Sequence, residues 1–120
     1  MKSHKDLDVW NRSIELVITI YKVTKGFPKE ETYGLISQMP RSVISISSNI
    51  AEGAARQSKK EFRQFLYIAS GSVSELETRL IICNKLIMID DDSFRIIIDE
   101  LLQIKKMLFG LLNSIKITDR

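Results

Sequence analysis

The sequence predicts a single soluble all-α domain, built as an antiparallel up-and-down four-helix bundle. Apolar residues recur at steps of three and four along four separate segments, which is the spacing of one face of an α-helix. The 120 residues suffice for one hydrophobic core but not for two independent ones. With only five Gly and two Pro, the chain has few of the breaking residues that a many-turned β fold requires.

The first helix is predicted over residues 7–26 and carries two apolar stripes. One stripe contains Leu7, Trp10, Ile14, Val17 and Tyr21. The other contains Leu16, Ile20, Val23 and Phe27. A single neighbouring helix would cover only one stripe, so we expect this helix to be buried on two sides. Gly26 and Pro28 mark its end.

The second helix is predicted over residues 33–55 and combines one apolar stripe with many small side chains. Serine, alanine and glycine lower its intrinsic helix propensity, but they let a neighbouring backbone come close. Pro40 lacks the amide hydrogen that the helix ladder uses. We therefore expect a kink at Pro40, unless the helix begins there.

The third helix is predicted over residues 59–89, about 45 Å long at 1.5 Å per residue. Its start is marked by Ser58 and Glu61, whose spacing is that of a capping box. In that motif the hydroxyl and the carboxylate satisfy two backbone amides at the helix start. Gly71 lies inside this helix, and we interpret it as a site of close packing.

The fourth helix is predicted over residues 92–116. The acidic run from Asp90 to Asp92 precedes it, which supplies a cap and places negative charge at the positive end of the helix dipole. Short turns join all four helices, so an antiparallel arrangement is the simplest packing. In that arrangement the start of helix one, the turn after helix two and the chain's end share one pole.

The charges divide unequally between the two poles of this predicted bundle. The whole chain has a formal charge of +3. Residues 1–13, 52–66 and 111–120 hold nine basic and five acidic residues, a net charge of +4. At the other pole, residues 22–34 and 82–100 hold five basic and seven acidic residues, a net charge of −2. The molecule is therefore predicted to be electrically polar.

Basic side chains at the first pole are candidate contacts for the phosphates of RNA or DNA. They are Lys5, Arg12, Arg56, Lys59, Lys60 and Arg63. The alternative is that they form a solvated turn, which is the usual role of a run of charges. The sequence around them shows none of the interleaved aromatic residues that single-strand binders use for stacking.

Residues for catalysis, metals and cofactors are scarce in this sequence. His4 is the only histidine, in a segment that we expect to be frayed, and Cys83 is the only cysteine. Cysteine-rich zinc sites and intrachain disulfides are therefore excluded, a catalytic triad would have to use His4, and paired Glu-x-x-His motifs are absent. The sequence predicts neither an enzyme nor a metal or cofactor site. Without a secretory signal or a long apolar run, it also predicts a cytoplasmic protein that does not enter a membrane.

Five polar residues are candidates for contacts between helices or between copies of the chain. They are Arg41, Asn49, Glu52, Glu75 and Glu77. If an oligomer buries Arg41, that guanidinium needs a carboxylate such as Glu75 or Glu77. The alternative for these charged residues is a solvated face with surface ion pairs. A third hypothesis, an enzyme, requires Glu52, Glu75 and Glu77 to form one buried cluster.

Four segments resemble the proteins encoded in intervening sequences of bacterial 23S ribosomal RNA genes, often called S23 ribosomal protein-like. These segments are HKDLDVW (4–10), FPKEETYGL (27–35), SSNIAEGAAR (47–56) and SKKEFRQFLYIASGSVSELETRL (58–80). The resemblance implies a bundle that assembles into a homopentameric barrel, without enzymatic activity and with a nucleic-acid role. A more distant similarity is to the accessory variability protein of diversity-generating retroelements, a pentamer that engages a reverse transcriptase and its RNA.

Two positions depart from the pattern of the 23S rRNA intervening-sequence proteins. Ser47 stands where members often have proline, and Pro40 stands where they often have a basic residue.

From the charge distribution and the resemblance together, the leading hypothesis is an oligomeric protein that binds structured RNA or DNA through its basic pole. The rival hypothesis is a protein–protein adaptor, for example an accessory factor of a reverse transcriptase ribonucleoprotein.

Overall fold

The computed structural model describes residues 2–31 and 34–116, and the regular secondary structure in this part of the chain is all helical, with no strand. The four long helices are α1 (Asp8–Thr24), α2 (Leu35–Ala55), α3 (Lys59–Lys85) and α4 (Asp91–Ser114). Short 3-10 turns span His4–Asp6 and Lys29–Glu31. The all-α class is confirmed. The predicted helix start at residue 33 and the terminal Arg120 lie outside the described residues.

The main difference from the predicted helices is the end of α3. The helix ends at Lys85 instead of residue 89, because Ile87 adopts a left-handed conformation with φ of 60°. The amide of Met88 then donates to the carbonyl of Cys83 at 2.9 Å, which closes the helix end. α2 begins five residues before Pro40 and continues through it, so the alternative that the helix starts at Pro40 is wrong.

All four helices contribute to one hydrophobic core. Its fully buried large side chains include Leu16 and Ile20 of α1, Ile46 and Ile50 of α2, Leu66, Leu76 and Leu80 of α3, and Leu101, Ile104 and Leu108 of α4. Phe27 and Ile89, in the turns after α1 and α3, close one end of this core.

The two apolar stripes of α1 have different environments. Leu16 and Ile20, on one stripe, are buried in the core, whereas Trp10 and Val17, on the other, are half-buried. The second stripe borders a groove of about 290 Å³ between α1 and α2. Residues lining this groove are Trp10, Ile14, Val17, Ile44, Ser47, Ser48 and Ala51. Within one copy of the chain, therefore, α1 is fully buried on one side only.

α2 and α3 form the most extensive helix pair, and Gly53 of α2 lies directly against α3. A Cβ atom at Gly53 would lie 2.7 Å from Cβ of Phe65 and 3.0 Å from Cδ1 of Phe62. Gly71, by contrast, has no neighbouring atom within 4 Å of such a Cβ position. The interpretation of Gly71 as a close-packing site is therefore wrong, and Gly53 has that role.

Contacts between helix ends define two poles of the described structure. Leu7, before α1, and Leu111, near the end of α4, line one pocket. Arg63 of α3 reaches the last turn of α4 as well, so we call this end, with the α2–α3 turn, the basic pole. At the opposite end, Val23 of α1 and Asp90 line another pocket. We call that end, with its run of aspartates, the acidic pole.

Candidate nucleic-acid interface

The α2–α3 turn places two lysines at the very start of α3. Ser58 caps this helix, since its Oγ accepts a hydrogen bond from the amide of Glu61 at 3.1 Å. The Ser58 hydroxyl also lies 3.1 Å from Oε1 of Glu61. Lys59 and Lys60 consequently occupy the first two helical positions, and both side chains are exposed.

The positions of Lys59 and Lys60 oppose the dipole of α3. A helix start carries partial positive charge, so a cation there costs a few tenths of a kcal/mol where an anion would be stabilised. Neither lysine forms an ion pair or a side-chain hydrogen bond with any residue that the structure describes. Two uncompensated cations and a helix start thus form one anion-attracting surface.

Arg56 lies beside these lysines, but its charge is shared with two acids. Its Nη2 lies 3.2 Å from Oε1 of Glu52, and its Nη1 lies 3.9 Å from Oε2 of Glu61. The guanidinium also lies over the ring of Phe65, with Cζ 5.0 Å from the centroid. Arg56 therefore joins the end of α2 to the start of α3 and contributes little free charge.

Arg63 connects α3 to the end of α4. Its Nη1 donates to the backbone carbonyls of Leu112 and, at 3.1 Å, of Ile115. These carbonyls lie at the end of α4, where the helix dipole carries partial negative charge. Its Nη2 lies 3.3 Å from the hydroxyl of Tyr67. Arg63 is thus a structural link first, and a candidate RNA contact only through its exposed edge.

The remaining two candidates, Lys5 and Arg12, differ in that one side chain is exposed and the other is held in an ion pair. Lys5 is exposed in a short turn, in which hydrogen bonds from the backbone amides of Lys2 and Ser3 lower the pKa of Asp6. Arg12 forms a two-bond ion pair with Glu100 of α4 at 2.8 and 2.9 Å, which raises the pKa of the guanidinium.

The segment around Lys5 is more ordered than the sequence suggests. Ser3 and Asp6 form a capping box around the short turn. The ring of His4 contacts Trp10 edge-on, with centroids 4.8 Å apart. The expectation that His4 lies in a frayed segment is therefore wrong. This turn holds Lys5 near the start of α1, at the basic pole.

The predicted polar contacts between helices form differently. Asn49 donates to the carbonyl and Oγ of Ser45 on its own helix, at 2.8 and 3.0 Å. Glu52 pairs with Arg56 and Glu75 with Arg79, again within one helix. The three carboxylates therefore form no buried cluster, because Glu52 and Glu75 are exposed and have separate partners.

Two members of that predicted set, Arg41 and Glu77, form no polar contact with the residues that the structure describes. Arg41 is exposed and Glu77 is half-buried. Neither forms an ion pair or a side-chain hydrogen bond within residues 2–31 and 34–116. Arg41 therefore does not pair with Glu75 or Glu77 in a single copy of the chain.

Further polar contacts between helices join residues that the sequence did not single out as partners. The hydroxyls of Ser13 and Ser47 lie 2.8 Å apart, and those of Ser45 and Ser72 are also 2.8 Å apart. Arg79 of α3 donates to Oε1 of Gln38 at 2.8 Å and to Oγ of Ser42, both on α2. No sequence motif marks these pairs, since each joins residues far apart in the chain.

Two further properties bear on the class of site. Among the described residues, no group of three or more His, Cys, Asp and Glu side chains could hold a metal ion. None of the helices within the described ranges is long and apolar enough to cross a membrane.

Comparisons with known proteins identify relatives of the whole fold. A family model described as 23S rRNA-intervening sequence protein matches residues 5–110. A crystal structure from Bacteroides thetaiotaomicron VPI-5482, of a protein with unknown function from the S23 ribosomal protein family, matches with a TM-score of 0.81 and 26% identity. The match covers 88% of this chain and 95% of that chain. None of the curated proteins compared with the sequence matches it.

Proposed function

The chain belongs to the 23S rRNA-intervening sequence protein family, and on that premise we propose that it is a cytoplasmic, non-enzymatic, oligomeric protein that binds structured RNA through its basic pole. The observation that carries this proposal is the pair of exposed lysines, Lys59 and Lys60, at the start of α3. Their charges are not neutralised by any described neighbour. They are therefore available to phosphates.

The chemistry of this surface favours phosphate over other anions of lower charge density. Lysine ammonium groups act as point charges for phosphates, and an RNA backbone offers them at regular spacing. Contacts to the phosphate backbone fix the position of a protein on the RNA and carry no sequence information. Binding should therefore weaken steeply with salt and depend little on base sequence in paired regions.

A charge reversal tests this proposal directly. In fluorescence anisotropy at low salt, the Lys59→Glu/Lys60→Glu variant should bind a labelled 23S-derived RNA at least about tenfold more weakly than wild type. The matched control is Lys22→Glu/Lys25→Glu, which makes the same change in two exposed lysines near the acidic pole. Equal losses in both variants, or no binding by wild type at micromolar concentration, would contradict the proposal.

The same proposal includes an antiparallel topology and self-assembly into a homopentamer. Contacts between the start of α1 and the end of α4, and between Asn84 of α3 and Asp91 of α4 at 2.9 Å, support the topology. The half-buried groove beside Trp10 and Ile44 supports assembly, because a second copy would remove its apolar surface from water. Light scattering should give five copies for wild type and a lower mass for Ile44→Asp. A monomeric wild type would refute the assembly.

A second candidate function is that of a protein–protein adaptor. It is favoured by exposed apolar residues on α3 near the acidic pole, namely Ile81, Ile82 and Leu86. Such a surface suits a protein better than RNA. Affinity capture from the native host, with nuclease treatment and high salt, separates the candidates. A partner that survives both treatments and is lost with Ile82→Glu supports the adaptor.

A further inference from the structure

Tyr67 is an exposed aromatic residue on the same face of α3 as Lys60. Its side chain is 54% exposed. At 100° per residue, Lys60, Tyr67 and Gly71 point within about 40° of one another, away from the core. The structure thus brings an aromatic ring beside basic residues, although the sequence spacing did not suggest it.

Arg63 holds the Tyr67 ring in place. Its Cζ lies 5.7 Å from the ring centroid, and its Nη2 lies 3.3 Å from the tyrosine hydroxyl. Arg63 is itself fixed by the carbonyls at the end of α4. Arg63 therefore lies against one side of the ring, and Tyr67 remains 54% exposed. A ring held in one orientation loses little conformational entropy when a ligand stacks on it.

Gly71 leaves open space one turn beyond Tyr67. It is exposed, and no atom lies within 4 Å of the position that a Cβ would take. A glycine inside a helix costs roughly 0.5–1 kcal/mol relative to alanine, and here no close packing within the chain requires it. The absence of a side chain therefore gives a flat ligand room beside the ring.

We propose that the face formed by Lys60, Tyr67 and Gly71 binds an unpaired nucleotide of RNA. This inference rests on the proposed RNA-binding function and names its substrate class. The base stacks on the exposed ring of Tyr67, and the adjoining phosphate contacts the ammonium group of Lys60.

The test compares an RNA hairpin, with 2-aminopurine in its unpaired loop, to a fully paired duplex of the same composition. Tyr67→Leu should lower affinity for the hairpin by about tenfold and leave duplex affinity unchanged. Wild type should quench the fluorescence of 2-aminopurine, and Tyr67→Leu should not. Tyr67→Phe retains the ring and should restore both signals to within about threefold of wild type. Tyr21→Leu, at a tyrosine of 46% exposure on α1, is the matched control and should bind as wild type.

A second pair of variants does not depend on removing the ring. Gly71→Leu places a bulky side chain beside Tyr67, whereas Gly110→Leu adds the same group to an equally open position on α4. Only Gly71→Leu should weaken hairpin binding. Both positions are exposed, so both variants should fold, as circular dichroism can verify.

The outcomes separate this inference from the proposed function. If the lysine variant loses RNA binding while Tyr67→Leu binds hairpin and duplex as wild type does, the stacking site is overturned and the function stands. If wild type binds neither RNA, both are overturned. If Tyr67→Leu or Gly71→Leu changes the mass measured by light scattering, the face belongs to a second copy and the inference is wrong.

Discussion

The two ends of α3 are built in opposite ways. At its start, Ser58 caps the helix, Gly53 of α2 lies against Phe62 and Phe65, and Arg63 reaches α4. At its end, Ile87 adopts a left-handed conformation with its side chain 89% exposed. The first end has tight packing and paired polar groups. The second leaves an apolar side chain in water.

This difference shows where the chain has gained stability and where it has not. A left-handed conformation costs a non-glycine residue about 1–2 kcal/mol, and glycine is the usual residue at such a helix end. The side chain of Ile87 makes no buried contact that would offset this cost. We therefore expect substitutions at the start of α3 to destabilise the protein and a glycine at its end to stabilise it.

The largest effect is expected for Gly53→Ala. The new methyl group would lie 2.7 Å from Cβ of Phe65, so α2 and α3 would have to move apart. Such overpacking costs about 1–3 kcal/mol, more than the gain in helix propensity. Urea unfolding measures the change. The control is Gly71→Ala, in open space, which should gain roughly 0.5–1 kcal/mol. Stabilisation by both variants would show that the two helices are not in close contact at Gly53.

The next effect is expected for Arg63→Met, which removes the donor to the end of α4. Because a charged donor to helix-end carbonyls is lost at a partly exposed site, we expect a loss of about 1 kcal/mol in the free energy of unfolding. Arg56→Met is the control and should cost less than about 0.5 kcal/mol, since its ion pairs are exposed. Equal losses would mean that the Arg63 link contributes no more than a surface ion pair.

At the other end of α3, Ile87→Gly is expected to stabilise the protein by about 0.5–1 kcal/mol. Relief of the left-handed conformation exceeds the extra entropy that glycine gives the unfolded chain. Ile87→Ala is the control, because alanine keeps the conformational cost and should bring no gain. Thermal and urea unfolding would both detect the difference. A glycine variant no more stable than the alanine variant would refute the account of this turn.

The smallest effect concerns Asp90, which caps α4 beyond the same turn. Hydrogen bonds from the hydroxyl and amide of Ser93 lower the pKa of Asp90 below its ordinary value of 3.8. The unfolded chain therefore binds the proton more tightly, so this stabilisation is present above pH 3.8 and is lost as pH falls through the lower folded value.

Asp90→Asn keeps a capping side chain but cannot titrate. Its urea midpoint should consequently fall less than that of wild type between about pH 4 and pH 2. Asp99→Asn, on the exposed side of α4, is the control and should follow the wild-type curve. If the urea midpoint of Asp90→Asn depended on pH as that of wild type does, this cap would contribute nothing to acid sensitivity.

Local signals in the sequence were sufficient to place the starts of α3 and α4. Ser58 and Asp90 act within three residues of themselves, so their caps could be read directly from the chain. The end of α3 was missed because glycine is the usual signal of a helix end. Here Ile87, which is not a glycine, adopts the left-handed conformation that ends the helix. Gly71 was misinterpreted for the reverse reason, since a glycine that permits close packing and one that leaves open space look alike in a sequence.

The candidate site was predicted only in outline. Grouping the basic residues at one pole required only the order of the helices. Which of them are free depends on contacts between distant residues, such as the pair of Arg12 and Glu100, 88 positions apart. Arg63 and the carbonyl of Leu112 are 49 positions apart. No periodicity encodes such pairs. The sequence alone therefore could not show which arginines are held by contacts within the chain and which lysines are free.

The serine pairs on α2 have a consequence for how the helices can move. Ser47 bonds to Ser13 of α1, and Ser45 bonds to Ser72 of α3. A slide of α2 by one residue, about 1.5 Å along its axis, would break both pairs. The small residues that make α2 a weak helix on its own thus fix the axial alignment of three helices. A displacement of α2 along its axis would therefore disturb its contacts with α1 and α3 together.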